Sequence, residues 1–168
     1  MSPQLRLVTS REGLDGDPEV ATIARHMSGA GIPTVVSAWS DATVDWSDAE
    51  LTVIRSTWDY HTNREGFLRW ADSVSRVTTL MNPAPLLHWN SEKTYLLDLA
   101  KKGLPIVPSV VLDDPTADRI LGVLASRGWA RGVLKPAIGL DGVGVTMVES
   151  SSTSPLVIAS TGDRWLLQ

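Results

Sequence analysis

The sequence predicts an α/β lobe with a largely parallel sheet, followed by a small α+β lobe. Three observations carry that reading. The first 82 residues run strand–helix–strand–strand–helix, an order that builds parallel sheets. Residues 83–89 hold two prolines and little periodicity, as a connector between lobes does. Past them, two β-rich runs flank a loop with three glycines in six residues. With 168 residues, 43% of them hydrophobic and 20% charged, the chain can bury a core without covalent staples.

The first lobe opens on a strand, Leu5–Thr9, followed by a Gly/Asp loop. Asp17-Pro18 reads as an N-cap with proline at the first helical position. Val20, Ile23, Ala24 and Met27 then recur at helical spacing, and Gly29 or Gly31 supplies the stop. Thr34–Ala38 and residues 51–54 read as strands. Asn63 caps a helix whose Phe67, Leu68, Ala71 and Val74 share one face, and 78–81 is a short extended piece.

In the second lobe, Asn90 or Ser91 caps a helix over 92–102 that closes on Gly103. Residues 106–112 form an edge strand, because Pro108 has no N–H to give a ladder. Thr116 opens a helix with Ile120, Leu121 and Leu124 inward and Gly128 at its end. Residues 132–136 and 143–148 are strands around the glycine loop. A polar turn at 150–154 leads to further strands at 156–159 and 165–168. The chain stops on an apolar strand, and a further covering element is expected.

Composition removes several function classes. Zero cysteines exclude disulfides, thiolate metal sites and cysteine nucleophiles. A net charge of −4 and a pI near 5.3 argue against nucleic-acid binding. No run approaches a membrane span, and Arg6 breaks the only apolar stretch near the start, so a cytoplasmic protein with no membrane partner is expected. His26, His61 and His88 fit no metal spacing, and no Gly-x-Ser-x-Gly elbow is present, so no metal ligand or catalytic residue is assigned.

Three motifs can carry chemistry. The sharpest is Leu134-Lys135-Pro136-Ala137-Ile138-Gly139-Leu140-Asp141-Gly142-Val143-Gly144-Val145. Bare backbone at Gly139, Gly142 and Gly144 can bring N–H groups against phosphate oxygens, and Lys135 can add a positive charge. A glycine hairpin with a surface lysine is the plain alternative. A Walker loop is excluded, because Gly144 leads into β-branched residues instead of Lys-Ser/Thr and a helix. The dinucleotide fingerprint, and with it a nicotinamide-dependent oxidoreductase, fails on the order and place of the glycines.

The second motif is Asn90-Ser91-Glu92-Lys93-Thr94-Tyr95. Lys93 is expected in the first helical turn, where the macrodipole disfavours a cation and an anion would compensate; taken alone, the motif favours the plainer reading, an ion pair with a neighbouring carboxylate. The third is Ile54-Arg55-Ser56-Thr57-Trp58-Asp59-Tyr60-His61, after the third strand, where open α/β sheets bind ligands. Arg55 can fork onto a carboxylate, Ser56 can orient it, and Trp58 and Tyr60 can wall it off. The alternative there is a turn capped by Asp59 with its rings over a sheet edge, and Asp59 is the local acidic partner for Arg55.

Together these motifs resemble the ATP-grasp superfamily. Glu92-Lys93 opens a helix ending in Gly-Leu-Pro-Ile-Val-Pro; Val-Leu-Lys-Pro precedes a glycine flap; Leu-Leu-Gln follows. Arg-Ser-Thr-Trp-Asp-Tyr, with Asn-Pro and Trp-Asn-Ser-Glu-Lys downstream, is most similar to the glutathione-synthetase-like branch that includes the cycloserine-forming cyclo-ligase. The resemblance implies an N-terminal pre-ATP-grasp lobe at 1–82, a connector at 83–89 and a central nucleotide-binding lobe at 90–168. It implies an ATP-dependent carboxylate–amine ligase acting through an acyl phosphate on a small, amino-acid-like substrate. Lys93, Lys135 and the flap (Gly139, Gly142, Gly144) would hold ATP phosphates, and Gln168 would begin the hinge that meets adenine. Arg55, Ser56, Trp58 and Tyr60 would face the substrate. The family's magnesium ligands lie in a third lobe after the hinge, which this chain is expected to lack. Alone it is therefore expected to be inactive: a fragment, a protein completed by a partner chain or working as a homodimer, or a non-catalytic binding module.

Overall fold

The structure, a computed structural model, describes residues 3–151 and 164–168. The chain divides into two compact units, Met1–Trp89 and Asn90–Gln168. The first contains β1 (Leu5–Thr9), α1 (Gly13–Gly16), α2 (Pro18–Gly29), β2 (Thr34–Ala38), β3 (Leu51–Ser56), α3 (Arg64–Val74), β4 (Thr79–Met81) and most of α4 (Ala84–Asn90). The second contains α5 (Tyr95–Lys101), β5 (Val110–Asp113), α6 (Ala117–Arg127), β6 (Arg131–Pro136), β7 (Thr146–Glu149) and β8 (Arg164–Leu167). The strand expected at 156–159 lies outside the described residues.

The first unit is a four-stranded, all-parallel sheet in the order β2-β1-β3-β4. Its helices come from local signals the sequence displays. Asp17 caps α2 by accepting from the backbone N–H groups of Glu19 and Val20, with Pro18 behind it. Asn63 caps α3 by accepting from Gly66 N–H, and Phe67, Leu68, Ala71 and Val74 are its buried face. The two helices feed separate cores. Val20 of α2, with Ile23 and Met27 beside it, packs on Leu5 and Leu7, whereas α3 packs on Val8, Trp39 and Leu80. Alternate residues of β1 therefore serve both cores, and the sheet is covered on both faces. Buried Arg6 is held by Ser37 and by Asp48 at 2.5 Å, with the Trp46 ring over its guanidinium at 5.4 Å.

The second unit is an antiparallel sheet in the order β5-β8-β6-β7. Thr116 caps α6, and Gly128 ends it in the left-handed conformation at φ +65°. Ile120 and Leu124 of α6 pack on Leu112, Leu134, Val148, Trp165 and Leu167. Because strand residues alternate, Lys135 stands on the face opposite Leu134.

Several sequence expectations change. Residues 83–89 carry helix α4, whose Ala84 and Leu87 are buried in the first core. Its two prolines sit at or before the first turn, where a missing N–H costs nothing. The helix expected over 92–102 begins only at Tyr95: residues 92–94 form a tighter turn, in which Tyr95 N–H bonds to the Glu92 carbonyl and Leu96 N–H to that of Lys93. Lys93 is thus in a turn before the helix, and the macrodipole argument does not apply to it. The strand expected over 106–112 starts at Val110, past Pro108, and the one expected from 143 starts at Thr146. Beyond the expected elements, α1 and a 3-10 turn at Tyr60–Asn63 also form. Among the described residues, no helix is long and apolar enough to cross a membrane.

Candidate functional site

In the second unit, strand β6 ends on Pro136, and the loop after it folds back beside the turn that carries Lys93. Lys93, Lys135, Pro136, Gly139, Asp141 and Gly142 are among the residues around one hollow of about 230 Å³. That lies below the roughly 300 Å³ at which whole small-molecule pockets begin, a size suited to a phosphate tail. Lys93 Nζ donates to the Gly139 carbonyl at 2.8 Å and, more weakly, to the Pro136 carbonyl at 3.4 Å. Burial, and secondarily the Lys135 charge, hold the Lys93 ammonium below the ordinary lysine pKa of 10.5. Two ammonium groups thus share one small hollow, and among the described residues neither is in an ion pair. An anion there would relieve both the burial of charge and the mutual repulsion.

The far end of the loop is fixed by packing. At Gly144 φ is +75°, and a Cβ would lie 2.9 Å from Pro136 Cγ, so a side chain there would push the loop off the strand. Gln168 does not line the hollow. Its backbone pairs with Val133, two residues before Lys135, and its Nε2 donates to Ser109 Oγ at 2.6 Å.

In the first unit, the carboxyl ends of β1 and β3 bring together four buried hydroxyl residues: Thr9, Ser10, Ser56 and Thr57. Thr9 Oγ1 and Ser56 Oγ share a hydrogen bond at 2.9 Å, and Ser10 Oγ accepts from Gly13 N–H at 3.1 Å. The Ser56 hydroxyl is the main cause holding the Asp17 carboxyl below its usual value. Ser56 is thus tied into the scaffold, while Arg55 beside it is half exposed. The acidic neighbour of Arg55 is Glu19, at 3.6 Å, and not Asp59, which accepts from Trp39 Nε1 at 2.6 Å. Trp58 is exposed, and Tyr60 leans on Phe67 with ring centroids 5.6 Å apart. The four residues expected to face substrate thus run from the end of β3 into the turn after it and have separate surroundings.

Sequence reasoning missed one feature. Glu92 is buried, and its Oε2 accepts from Arg164 Nη2 at 2.9 Å. Glu92 lies within the quoted Glu92-Lys93 motif, yet nothing local marks a partner 72 residues away.

The chain is similar to known proteins along nearly its whole length, and a family model matches its first unit. Residues 5–82 match the family model described as D-cycloserine synthetase DcsG, N-terminal domain. The chain is 37% identical over 155 residues to the cycloserine biosynthesis protein DcsG of Streptomyces lavendulae, covering 90% of this chain and 52% of that protein. The crystal structure of D-cycloserine synthetase DcsG superposes with a TM-score of 0.81 at 30% identity, over 98% of this chain and 58% of that one. D-alanyl-alanine synthetase A from Vibrio cholerae shares the fold at a TM-score of 0.67 and 14% identity, over 100% and 59% of the two chains. So does the carboxyaminoimidazole ribonucleotide synthase of Aspergillus clavatus, solved with ATP, at 0.68 and 12%, over 99% and 47%. The chain spans about half the length of the curated relative it matches. The chain therefore has the ATP-grasp fold in its two units and is similar, along nearly its whole length, to the cycloserine-forming synthetase.

Proposed function

We propose that this chain is the nucleotide-binding portion of an ATP-dependent carboxylate–amine ligase that acts through an acyl phosphate on an amino-acid-like substrate. One observation carries the reading: Lys93 and Lys135, from separate segments, line the same small hollow beside the glycine loop. Two cations with no ion-pair partner among the described residues, bare backbone and a small hollow together suit a polyphosphate. The ATP in the Aspergillus clavatus synthase supports nucleotide as its occupant.

In this reading the ammonium groups hold phosphate oxygens, and the loop from Gly139 through Gly142 to Gly144 covers them against water. Arg55 takes the substrate's carboxylate, with Trp58 and Tyr60 beside it, and Ser56 fixes the loop from below. Gln168 leads toward the adenine. Likeness to a cycloserine synthetase supports a small amino-acid-type substrate. An ATP-consuming reaction of this kind fits the cytoplasm. Among the described residues no three His, Cys, Asp or Glu side chains gather as a metal site, and no magnesium ligands are assigned to them. We assign those to a further lobe, in the same polypeptide or in a partner chain.

Calorimetric titration of the 168-residue chain with ATP tests the reading. Lys135→Ala should weaken binding about ten- to a hundredfold, because a charge-assisted bond is worth roughly 1.5–3 kcal/mol. The circular dichroism of the variant should be unchanged. Equal affinity in the two proteins would make Lys135 a surface lysine and end the reading.

A further inference from the structure

We propose that Glu92 and Arg164 are positioning residues: their ion pair closes a ring of contacts that sets Lys93 at the mouth of the phosphate hollow. The ring has four members from three segments. Glu92 Oε2 accepts from Arg164 Nη2 at 2.9 Å, and the Arg164 carbonyl accepts from Ala137 N–H at 2.8 Å. The Ala137 carbonyl accepts from Lys93 N–H at 2.8 Å, and Lys93 is bonded to Glu92 through the chain. The turn before α5, the end of β6 and the start of β8 are thereby locked together at one point. That point is the root of the Lys93 side chain, whose ammonium reaches the first glycine of the loop.

The pair has the asymmetry of a device that serves a position. The Glu92 side chain is 10% exposed and that of Arg164 53%. Taking one carboxylate out of water for a half-solvated partner is a poor way to gain stability. Glu92 Oε1 is also buried without a hydrogen-bond partner among the described residues. Such a cost persists where the fixed geometry is useful. Lys93 needs fixing, since a lysine has four rotatable bonds and loses much entropy when an anion immobilises it. Among the residues lining the hollow with Lys93, Lys135 from β6 and Asp141 from the loop also carry charge. Burial, the main cause of the lowered Lys93 pKa, depends on where the side chain is held, and the pair acts by fixing that place.

This inference rests on the nucleotide reading, and the test separates the two. The reactivity of each lysine with trace acetic anhydride is followed across pH in the full chain, with exposed Lys101 and Lys102 as internal references. Wild-type Lys93 should titrate below them. In Glu92→Gln, and in Arg164→Ala where Glu92→Gln fails to fold, the Lys93 midpoint should move toward the references, and Arg164→Lys should move it less. ATP affinity should fall about tenfold alongside, the lower end of losing a charge-assisted bond. A merely structural pair would lower Tm and leave the Lys93 midpoint in place, and that result in a folded variant overturns the inference. Should the midpoint move while the wild-type chain fails to bind ATP, the ring stands and the nucleotide reading falls.

Discussion

The two units bury polarity in opposite ways. At the carboxyl edge of the parallel sheet, Thr9, Ser10, Ser56 and Asp17 hydrogen-bond with one another or with nearby backbone. In the antiparallel unit, Lys93 and Lys135 share a hollow with no carboxylate in ion-pair range among the described residues. A saturated network gives rigidity and asks for nothing further. Charges held partly out of water without counter-charges are a standing demand for an anion. The contrast separates a unit whose central polar groups bond to one another from one whose two ammonium groups have no ion-pair partner among the described residues, and the proposed phosphate site lies in the second.

The largest expected effect tests whether each unit stands on its own core. Phe67 packs edge-on to Trp39 at 5.3 Å, stacks on Trp70 at 5.4 Å and is almost fully buried. Phe67→Ala should cost about 3–5 kcal/mol. Hydrogen exchange should show β1 and β3 losing protection while β6 and β8 keep theirs. Equal loss in all four strands would show that the units unfold together, and the comparison would need redrawing.

A smaller effect probes the saturated network. Asp17→Ala removes the cap of α2 and a partner of Ser56, and should cost about 0.5–2 kcal/mol. The Asp17 carboxyl is held below 3.8 in the folded chain, first by the Ser56 hydroxyl and then by the Val20 and Glu19 N–H groups. Its contribution is therefore complete above the unfolded value and is lost as pH falls through the lower folded one. Urea melts between pH 2 and 6 should show that acid-side loss in the wild type and less of it in Asp17→Asn, which keeps a capping oxygen without the titration.

The smallest stability effect sharpens the role of Arg55. Its pair with Glu19 is solvent-exposed at 3.6 Å, and such pairs contribute about 0–1 kcal/mol. Arg55→Ala should leave Tm within a few degrees and ATP affinity unchanged. In an assembly that turns over, it should raise KM for the acid substrate. A large loss of stability would make Arg55 a structural residue.

What could be read from the sequence follows the range of the forces involved. Helix α3 was legible from end to end because its Asn63 cap and its Phe67, Leu68, Ala71 and Val74 face are all local. The parallel order of the first sheet was legible from the succession of elements. Helix α4 was not, since seven residues hold barely two turns of periodicity and Pro83 and Pro85 read as breakers. The start of α5 was misplaced because the turn at 92–94 is wound more tightly than an α-helix, a difference that apolar spacing does not register. In the site, the glycine loop and both lysines stood out by composition and spacing. Glu92 and Arg164 did not, because their meeting depends on how β8 enters the sheet. The partner of Arg55 was misjudged for the same reason: Asp59 is near in sequence, but Glu19 is near in space.

The account turns on where nucleotide lands, and amide chemical-shift mapping of the isotope-labelled chain with ATP answers that directly. The account predicts shifts concentrated at Lys93, Lys135 and Ala137 through Val145, with residues 55–60 unmoved. Shifts confined to 55–60, or none at millimolar ATP, would contradict it.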